Sequence, residues 1–338
     1  MWKAKNKKSL KTITAAVLAL LFILPLHSCA VPSADEMVSK TSFVFSTVVT
    51  VTLYGTDDEN IALGCFDILR EIESEISRTD PESSLFRINE NGGGKMPAHL
   101  FAVLTGALPY CEATGGSLDI SIGRLTELWN FSSGEHRVPS QDDIARALDS
   151  SGLQNITVSG DEVTLSDGCK IDLGAVAKGY AADRLREYLE ENSINSALID
   201  LGGNILCIGE KPDGGSFNVG IKYPFKDGTI ANVLVKGKSV VTSGVYERYF
   251  YENGTLYHHI LDPQTGFPCQ SGLYSVTIIS DSSFAGDCLS TACFVLGLEK
   301  GLELLSSFPG VYGIFVTDSY EVVLSEGLKD AFDITVTD

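Results

Sequence analysis

Residues 171–180 read Ile-Asp-Leu-Gly-Ala-Val-Ala-Lys-Gly-Tyr, a segment in which an extended strand ends and a helix begins. Gly174 lies at the turn, where the missing side chain lets main-chain groups approach a ligand closely. Amide groups at the start of a helix favour anions, and Lys178 adds a positive charge in the first turn. The segment is therefore a candidate anion-binding site. Asp172 in the same turn has a second explanation, as a helix cap or turn residue.

The segments on both sides of this turn predict the fold class. Helical spacing and β-branched runs predict, in order, a strand at 43–54, helices at 58–77, 98–113 and 140–148, a hairpin at 155–173, a helix at 176–191, a series of short strands from 196 to 280, helices at 283–296 and 299–306, and strands near 311–316 and 320–325. Because strands and helices do not alternate regularly, we expect an α+β fold of mixed and antiparallel sheets with packed helices. It would form one compact unit or two packed lobes. The sequence contains neither G-x-G-x-x-G nor a Walker A loop, so Rossmann and P-loop nucleotide sites are not indicated.

Residues 285–292 read Ala-Gly-Asp-Cys-Leu-Ser-Thr-Ala and supply the clearest candidate for a metal site. On a helix, Asp287, Ser290 and Thr291 occupy positions i, i+3 and i+4 and therefore share one face. One carboxylate and two hydroxyls form a surface of oxygen ligands, which suits Mg²⁺ because this ion takes few protein ligands and completes its shell with phosphate and water. The alternative is an amphipathic helix with an ordinary polar face.

Residues 258–268 contain two of the five histidines, followed by the tight-turn signature Asp262-Pro263-x-Thr265-Gly266. One interpretation is a hairpin turn with a structural histidine. The other is a general base at the rim of a site, for which His259 is the candidate. An unperturbed histidine has a pKa of about 6.5, so the rate would rise with pH through that region. Since neighbouring strand residues face opposite ways, only one of His258 and His259 can face the site.

The N-terminus predicts export and a lipid anchor. Five lysines precede an apolar run at 12–26, which at about 1.5 Å per residue is too short to span a hydrocarbon core of roughly 30 Å. We therefore expect residues 1–28 to be a signal peptide. Leu26-His27-Ser28-Cys29 resembles a bacterial lipobox, in which Cys29 is acylated, and plain secretion is the alternative. Residues 29–41 would be the lipid anchor and tether, and 42–338 the enzyme domain.

Charge and cysteine content limit the possible partners. Without residues 1–28 the chain keeps 20 basic and 44 acidic residues, a net charge of −24. Such a surface repels nucleic acid and anionic lipid, so we expect no nucleic-acid partner and no electrostatic membrane binding. An acidic protein that binds an anion also needs a local cation, which is a first indication of a metal. The seven cysteines after Cys29 contain no C-x-x-C and are expected to be buried free thiols.

Taken together, the order and spacing of these segments resemble the ApbE family of FAD:protein FMN transferases. The resemblance extends from about Phe43 to Leu298, and the segments with Lys178 and with Asp262 are its most specific parts. The similar segments are 77–89, 116–119 (Gly-Ser-Leu-Asp), 172–180, 201–204 (Leu-Gly-Gly-Asn), 242–244 (Thr-Ser-Gly), 259–268 and 285–292. By themselves, the glycine segments near 116 and 202 are equally explained as chain reversals.

The resemblance implies both an activity and a set of ligands. It implies Mg²⁺-dependent transfer of FMN from FAD to a Thr or Ser hydroxyl of an acceptor flavoprotein of a membrane redox complex, outside the cytoplasm at the cell membrane. It implies a metal site formed by the Ala175 carbonyl, Asp287 and Thr291, with a weaker contact from Ser290. The implied FAD contacts are Phe45, Ser117, Leu118, Asp119, Asp172, Lys178 and Leu261. Two alternatives remain at this point, an FAD pyrophosphatase that yields FMN and AMP, and a flavin-binding receptor lipoprotein.

Overall fold

An antiparallel sheet of eight strands is the largest element of the structure, a computed structural model that describes residues 36–132 and 136–337. Its strands lie in the order β1-β2-β6-β7-β10-β13-β14-β15. Alternating burial in β2 places one face of this sheet on an apolar core. The strands are β1 (Met37–Val44), β2 (Thr47–Tyr54), β6 (Ser196–Leu201), β7 (Asn204–Gly209), β10 (Ser239–Gly244), β13 (Leu273–Ser280), β14 (Tyr312–Thr317) and β15 (Val322–Leu324).

Three smaller antiparallel sheets extend the structure. Their strand orders are β3-β5-β4, β16-β9-β8 and β11-β12. The strands are β3 (Gly93–Lys95), β4 (Ile156–Ser159), β5 (Glu162–Leu165), β8 (Phe217–Lys222), β9 (Thr229–Val235), β11 (Tyr249–Glu252), β12 (Thr255–His258) and β16 (Asp333–Val336).

Helices cover the sheets, and none within the described residues is long and apolar enough to cross a membrane. Several begin at a side-chain cap, such as Asp58, Ser83, Ser140 and Ser282, whose oxygens accept from main-chain N–H groups. In the described part of the chain the α-helices are α1 (Glu59–Ile76), α2 (Ser84–Asn91), α3 (Ala98–Ala113), α4 (Gly123–Trp129), α5 (Gln141–Asp149), α6 (Ala177–Glu191), α7 (Ser283–Leu296), α8 (Leu298–Ser306) and α9 (Leu328–Ala331).

Helices α6 and α7 are in close contact, and this contact positions the site. A Cβ added at Gly179 would lie 2.4 Å from the Ser283 carbonyl oxygen, so the two backbones meet where only glycine fits. Asp183 of α6 accepts hydrogen bonds from Ser282 Oγ at 2.7 Å and from the main-chain N–H groups of Ser283 and Phe284 at 2.8 and 3.0 Å. One carboxylate therefore caps α7 and fixes its start against α6.

The predicted α+β class is confirmed, with two corrections at the start of the domain. The single strand expected at 43–54 is a hairpin, because Phe45 and Ser46 take positive φ values of 54° and 55° and reverse the chain. Residues 37–41, which the sequence analysis assigned to the tether, form the start of β1. The named strands pair only in antiparallel fashion in the described residues, and these residues lie in one compact unit. The predicted signal peptide and Cys29 lie outside them.

Candidate functional site

The buried carboxylate of Asp287 on α7 is the centre of the candidate site. Its Oδ2 accepts a hydrogen bond from the main-chain N–H of Gly179, in the first turn of α6. Burial raises the pKa of Asp287 to about 6, while the nearby Lys178 charge, the Gly179 N–H and the Asn204 amide oppose this shift. A buried acid that is costly to ionise has a strong reason to bind a cation.

The carbonyl of Ala175 lies in the turn before α6. In a continuous helix the Gly179 N–H would bind this carbonyl, four residues earlier, but here it is donated to Asp287. Because Ala175 lies before the first residue of α6, its carbonyl lies outside the helix and is a potential oxygen ligand. Ala175 is half-buried, which is compatible with that role.

Three hydroxyls meet where α7 packs against β10, with Ser290 and Thr291 on the helix and Ser243 on the strand. Ser243 Oγ is 2.9 Å from Ser290 Oγ and 3.2 Å from Thr291 Oγ1. Ser290 is fully buried and also donates to the Asp287 carbonyl at 3.1 Å, whereas Thr291 is half-buried. Sequence reasoning identified Ser290 and Thr291 but missed Ser243, although it lies in the Thr242-Ser243-Gly244 segment.

Lys178 joins the start of α6 to a glycine turn between β6 and β7. Its Nζ donates to the Gly202 carbonyl at 3.2 Å. Gly202 has a φ of 63°, and a Cβ there would lie 2.1 Å from Thr47 Oγ1, so this turn contacts the start of β2. Phe45 lies in the preceding hairpin turn, half-buried, with its N–H donated to Glu73 Oε1 at 2.8 Å. The Gly202 turn thus lies between Lys178 and Thr47, the first residue of β2.

The predicted contacts at 117–119 and 172 have structural partners of their own. Asp172 pairs with Arg78 Nε at 2.9 Å and accepts from the Gly174 N–H at 2.7 Å, so its carboxylate closes the turn before α6. Asp119 accepts from the N–H and Oγ of Ser121 at 2.7 and 2.6 Å. Ser117 donates to the Thr114 carbonyl at 2.8 Å, and Leu118 is buried. Arg78 lies in the segment 77–89, and its pairing with Asp172, 94 residues away, has no local signal in the sequence.

The two histidines have different environments. His259 Nδ1 lies 3.3 Å from the Arg248 carbonyl, so this nitrogen carries the proton and Nε2 is left with a free lone pair. Burial, then the charge of Arg248, lowers the pKa of His259 to about 3, and Lys178 contributes in the same direction. His258 is buried, with Nε2 3.0 Å from the Cys269 carbonyl and its ring edge-on to Phe294. Of the pair, His259 is therefore the one under the electrostatic influence of Lys178.

Leu261 belongs to an aromatic cluster at the following turn. It is buried and forms a main-chain bridge with Pro268. The Trp129 indole N–H donates to the Gly266 carbonyl at 2.7 Å, so α4 holds this turn in place.

A different group of possible metal ligands, Glu71, Glu75 and His99, contains none of the residues predicted from sequence.

Comparisons with known proteins agree with this arrangement of motifs. A family model described as the ApbE family matches residues 45–315. A curated FAD:protein FMN transferase of Klebsiella pneumoniae (strain 342) is 35% identical and aligns over 87% of this chain and 93% of its own length. Another FAD:protein FMN transferase, of Treponema pallidum (strain Nichols), is 34% identical and aligns over 90% of this chain and 91% of its own length.

Solved structures show the same fold. The crystal structure of the ApbE protein from Thermotoga maritima has a TM-score of 0.81 at 33% identity and covers 87% of this chain and 98% of that one. The apo form of the Pseudomonas stutzeri flavinyl transferase ApbE has a TM-score of 0.78 at 28% identity, and the match covers 87% of this chain and 96% of that one.

Proposed function

Because this chain belongs to the ApbE family, we propose that it transfers the FMN half of FAD to a Thr or Ser hydroxyl of an acceptor flavoprotein, with release of AMP and a requirement for Mg²⁺. The chain is an FAD:protein FMN transferase, and FAD is its substrate. The observation that carries the proposal is the junction of α6 and α7. There the buried carboxylate of Asp287 accepts a hydrogen bond from the first turn of α6 beside Lys178, and Ser290 and Thr291 follow within the next turn of α7.

The residues present at this junction fit Mg²⁺. Asp287, Thr291 and the Ala175 carbonyl offer only oxygen atoms, and they include a buried acid and a carbonyl that lies outside α6. Mg²⁺ is held in proteins by one or two carboxylates together with substrate phosphates, so a single aspartate is sufficient. When bound, the ion would neutralise charge on the pyrophosphate of FAD.

The reaction is a phosphoryl transfer in which the chain's own groups bind and orient. The acceptor hydroxyl oxygen forms a bond to the FMN phosphorus, and the bond from that phosphorus to the bridging oxygen breaks, so AMP leaves with the electron pair. Lys178, in the first turn of α6, binds the phosphates through its positive charge. His259 takes the hydroxyl proton at Nε2, the nitrogen left free by its bond to Arg248.

We further propose that the enzyme acts outside the cytoplasm, attached to the cell membrane through an acylated Cys29. The support is the lipobox-like sequence before Cys29 and the strongly acidic composition of the rest of the chain. The acceptor would be an exported or membrane flavoprotein of a redox complex. A covalent phosphoester suits such a location because it keeps FMN from diffusing away.

A single incubation tests the activity against its alternatives. The purified protein is mixed with FAD, Mg²⁺ and an acceptor protein, and the products are separated on a denaturing gel and by chromatography. We expect a fluorescent flavin on the acceptor together with AMP, and no reaction in EDTA until Mg²⁺ is restored. Free FMN without labelled acceptor would instead indicate a pyrophosphatase, and unchanged FAD would indicate a receptor.

A further inference from the structure

The proton positions in the hydroxyl cluster of Ser243, Ser290 and Thr291 can be derived from its hydrogen bonds. A carbonyl oxygen only accepts, so the 3.1 Å bond between Ser290 Oγ and the Asp287 carbonyl uses the one proton of Ser290. Ser290 must then accept from Ser243 across 2.9 Å. This uses the proton of Ser243, which in turn accepts from Thr291 across 3.2 Å.

From this order we infer that Ser243 is a positioning residue for the metal site, acting through Thr291. It holds the Thr291 hydroxyl proton towards β10, so the lone pairs of Thr291 Oγ1 face away from Ser243 and are available to a cation. The three hydroxyls form a relay of hydrogen bonds that runs from Thr291 through Ser243 to Ser290. Ser290 ends this relay and orients its neighbours instead of binding the metal. The inference rests on the proposed Mg²⁺ dependence.

Burial supports the separate roles of the two α7 hydroxyls. Ser290 is fully buried, and its proton and one lone pair are already used by the Asp287 carbonyl and Ser243. Thr291 is half-buried, and within the described residues its hydroxyl has a single hydrogen bond, to Ser243. A hydroxyl free to rotate would present its proton to the ion in part of its conformations. Fixing its direction beforehand therefore favours binding.

The test is direct binding of Mn²⁺, used alone as a probe, to the purified protein and measured from the free-ion signal in electron paramagnetic resonance. Ser243→Ala should lower Mn²⁺ affinity by about 10- to 100-fold, the usual cost of losing a group that orients a ligand. Ser243→Thr keeps a hydroxyl and should restore most of that affinity. Ser290→Ala should cost less than Thr291→Ala, because only Thr291 contacts the ion. Thermal midpoints without metal show whether each variant is folded.

Specific outcomes would overturn the relay. If the wild type binds Mn²⁺ and a folded Ser243→Ala binds it equally well, Ser243 does not orient Thr291. If Ser290→Ala loses as much affinity as Thr291→Ala, Ser290 is itself a ligand. A wild type that transfers FMN at its full rate in EDTA would refute the metal requirement and the relay with it. Loss of transfer with intact Mn²⁺ binding would count against the proposed reaction only.

Discussion

Asp287 is the one formal negative charge among the proposed metal ligands, and its replacement is the most direct test of the site. Asp287→Asn preserves shape but removes the charge, so we expect transfer to fall by on the order of 10²-fold or more. The rate should be measured across a Mg²⁺ titration. Asp281→Asn, at an acid exposed outside α7, is the matched control and should keep wild-type activity. Near-normal transfer by Asp287→Asn at low Mg²⁺ would remove this residue from the site.

His259→Ala should slow transfer by about 10²-fold while FAD affinity is kept, the low end of the range for a positioned base, because its lowered pKa makes His259 a weaker base. The lowered pKa of His259 also predicts how the transfer rate depends on pH. A base must be neutral to act, and the lowered pKa of about 3 keeps His259 neutral at every pH well above that value. We therefore expect no inflection near pH 6.5, contrary to the simplest expectation from sequence.

The adjacent His258 supplies the comparison for this experiment. Its side chain is buried against Phe294, so His258→Gln should affect folding stability more than the rate of the folded enzyme. Transfer rates of both variants between about pH 5.5 and 8 show which of the two histidines acts as the base. Loss of activity in folded His258→Gln with a normal His259→Ala would reverse the assignment, and full activity in both would place the base elsewhere.

At the scale of elements, the contact between α6 and α7 should tolerate no added methyl group. In Gly179→Ala the new Cβ would meet the Ser283 carbonyl and the Phe284 Cα at 2.4 and 2.8 Å, both main-chain atoms. Overpacking of this kind costs about 1–3 kcal/mol, and it would also strain the Gly179–Asp287 hydrogen bond. We expect a lower free energy of unfolding in urea and weaker Mn²⁺ binding.

Gly106 provides a matched glycine for that experiment. A Cβ at Gly106 of α3 would touch only the ring of Phe284, at 3.1 Å, and a ring can shift more easily than a backbone. Gly106→Ala should therefore cost less stability and leave Mn²⁺ binding unchanged. Equal losses in both variants would mean that the α6–α7 contact has no special role in the site.

Periodicity predicted the long elements well, because burial alone specifies them. The helices at 59–76, 98–113, 177–191 and 283–296 are long and rich in apolar residues, so they remain recognisable without a structure. The hairpin at Phe45-Ser46 was missed because neither residue is a glycine or proline, yet both take positive φ values. The short α2 was missed as well, since eight residues carry too little periodic signal.

Site residues were predictable only where a motif is continuous in sequence. Lys178, Asp287 and Thr291 lie within recognisable segments. The partners that hold them come from distant parts of the chain, as Ser243 does for Thr291, 48 residues apart. Such pairings depend on strand order and helix contacts, for which a single sequence gives no local signal. The same holds for Arg78 with Asp172, 94 residues apart.

At the scale of the whole molecule, attachment to the membrane should depend on one sulfur atom. Cys29→Ser removes the acceptor of the proposed lipid, and the acidic remainder of the chain offers no second electrostatic anchor. We expect the variant to move to the soluble fraction with transfer activity unchanged. Sedimentation of cell membranes followed by a salt wash measures this, and a variant that stays with the washed membranes would refute the lipobox interpretation.

The seven cysteines of the described residues, all buried and free, make the folded enzyme insensitive to the ambient redox potential. Burial raises the pKa of Cys65, Cys207 and Cys293 to about 12, so hardly any reactive thiolate exists at neutral pH. Oxidants and thiol reagents would reach these sulfurs mainly in molecules that have opened. The rate of thiol alkylation in the absence of denaturant would then report how often the protein unfolds. This rate should slow when FAD and Mg²⁺ stabilise the folded protein.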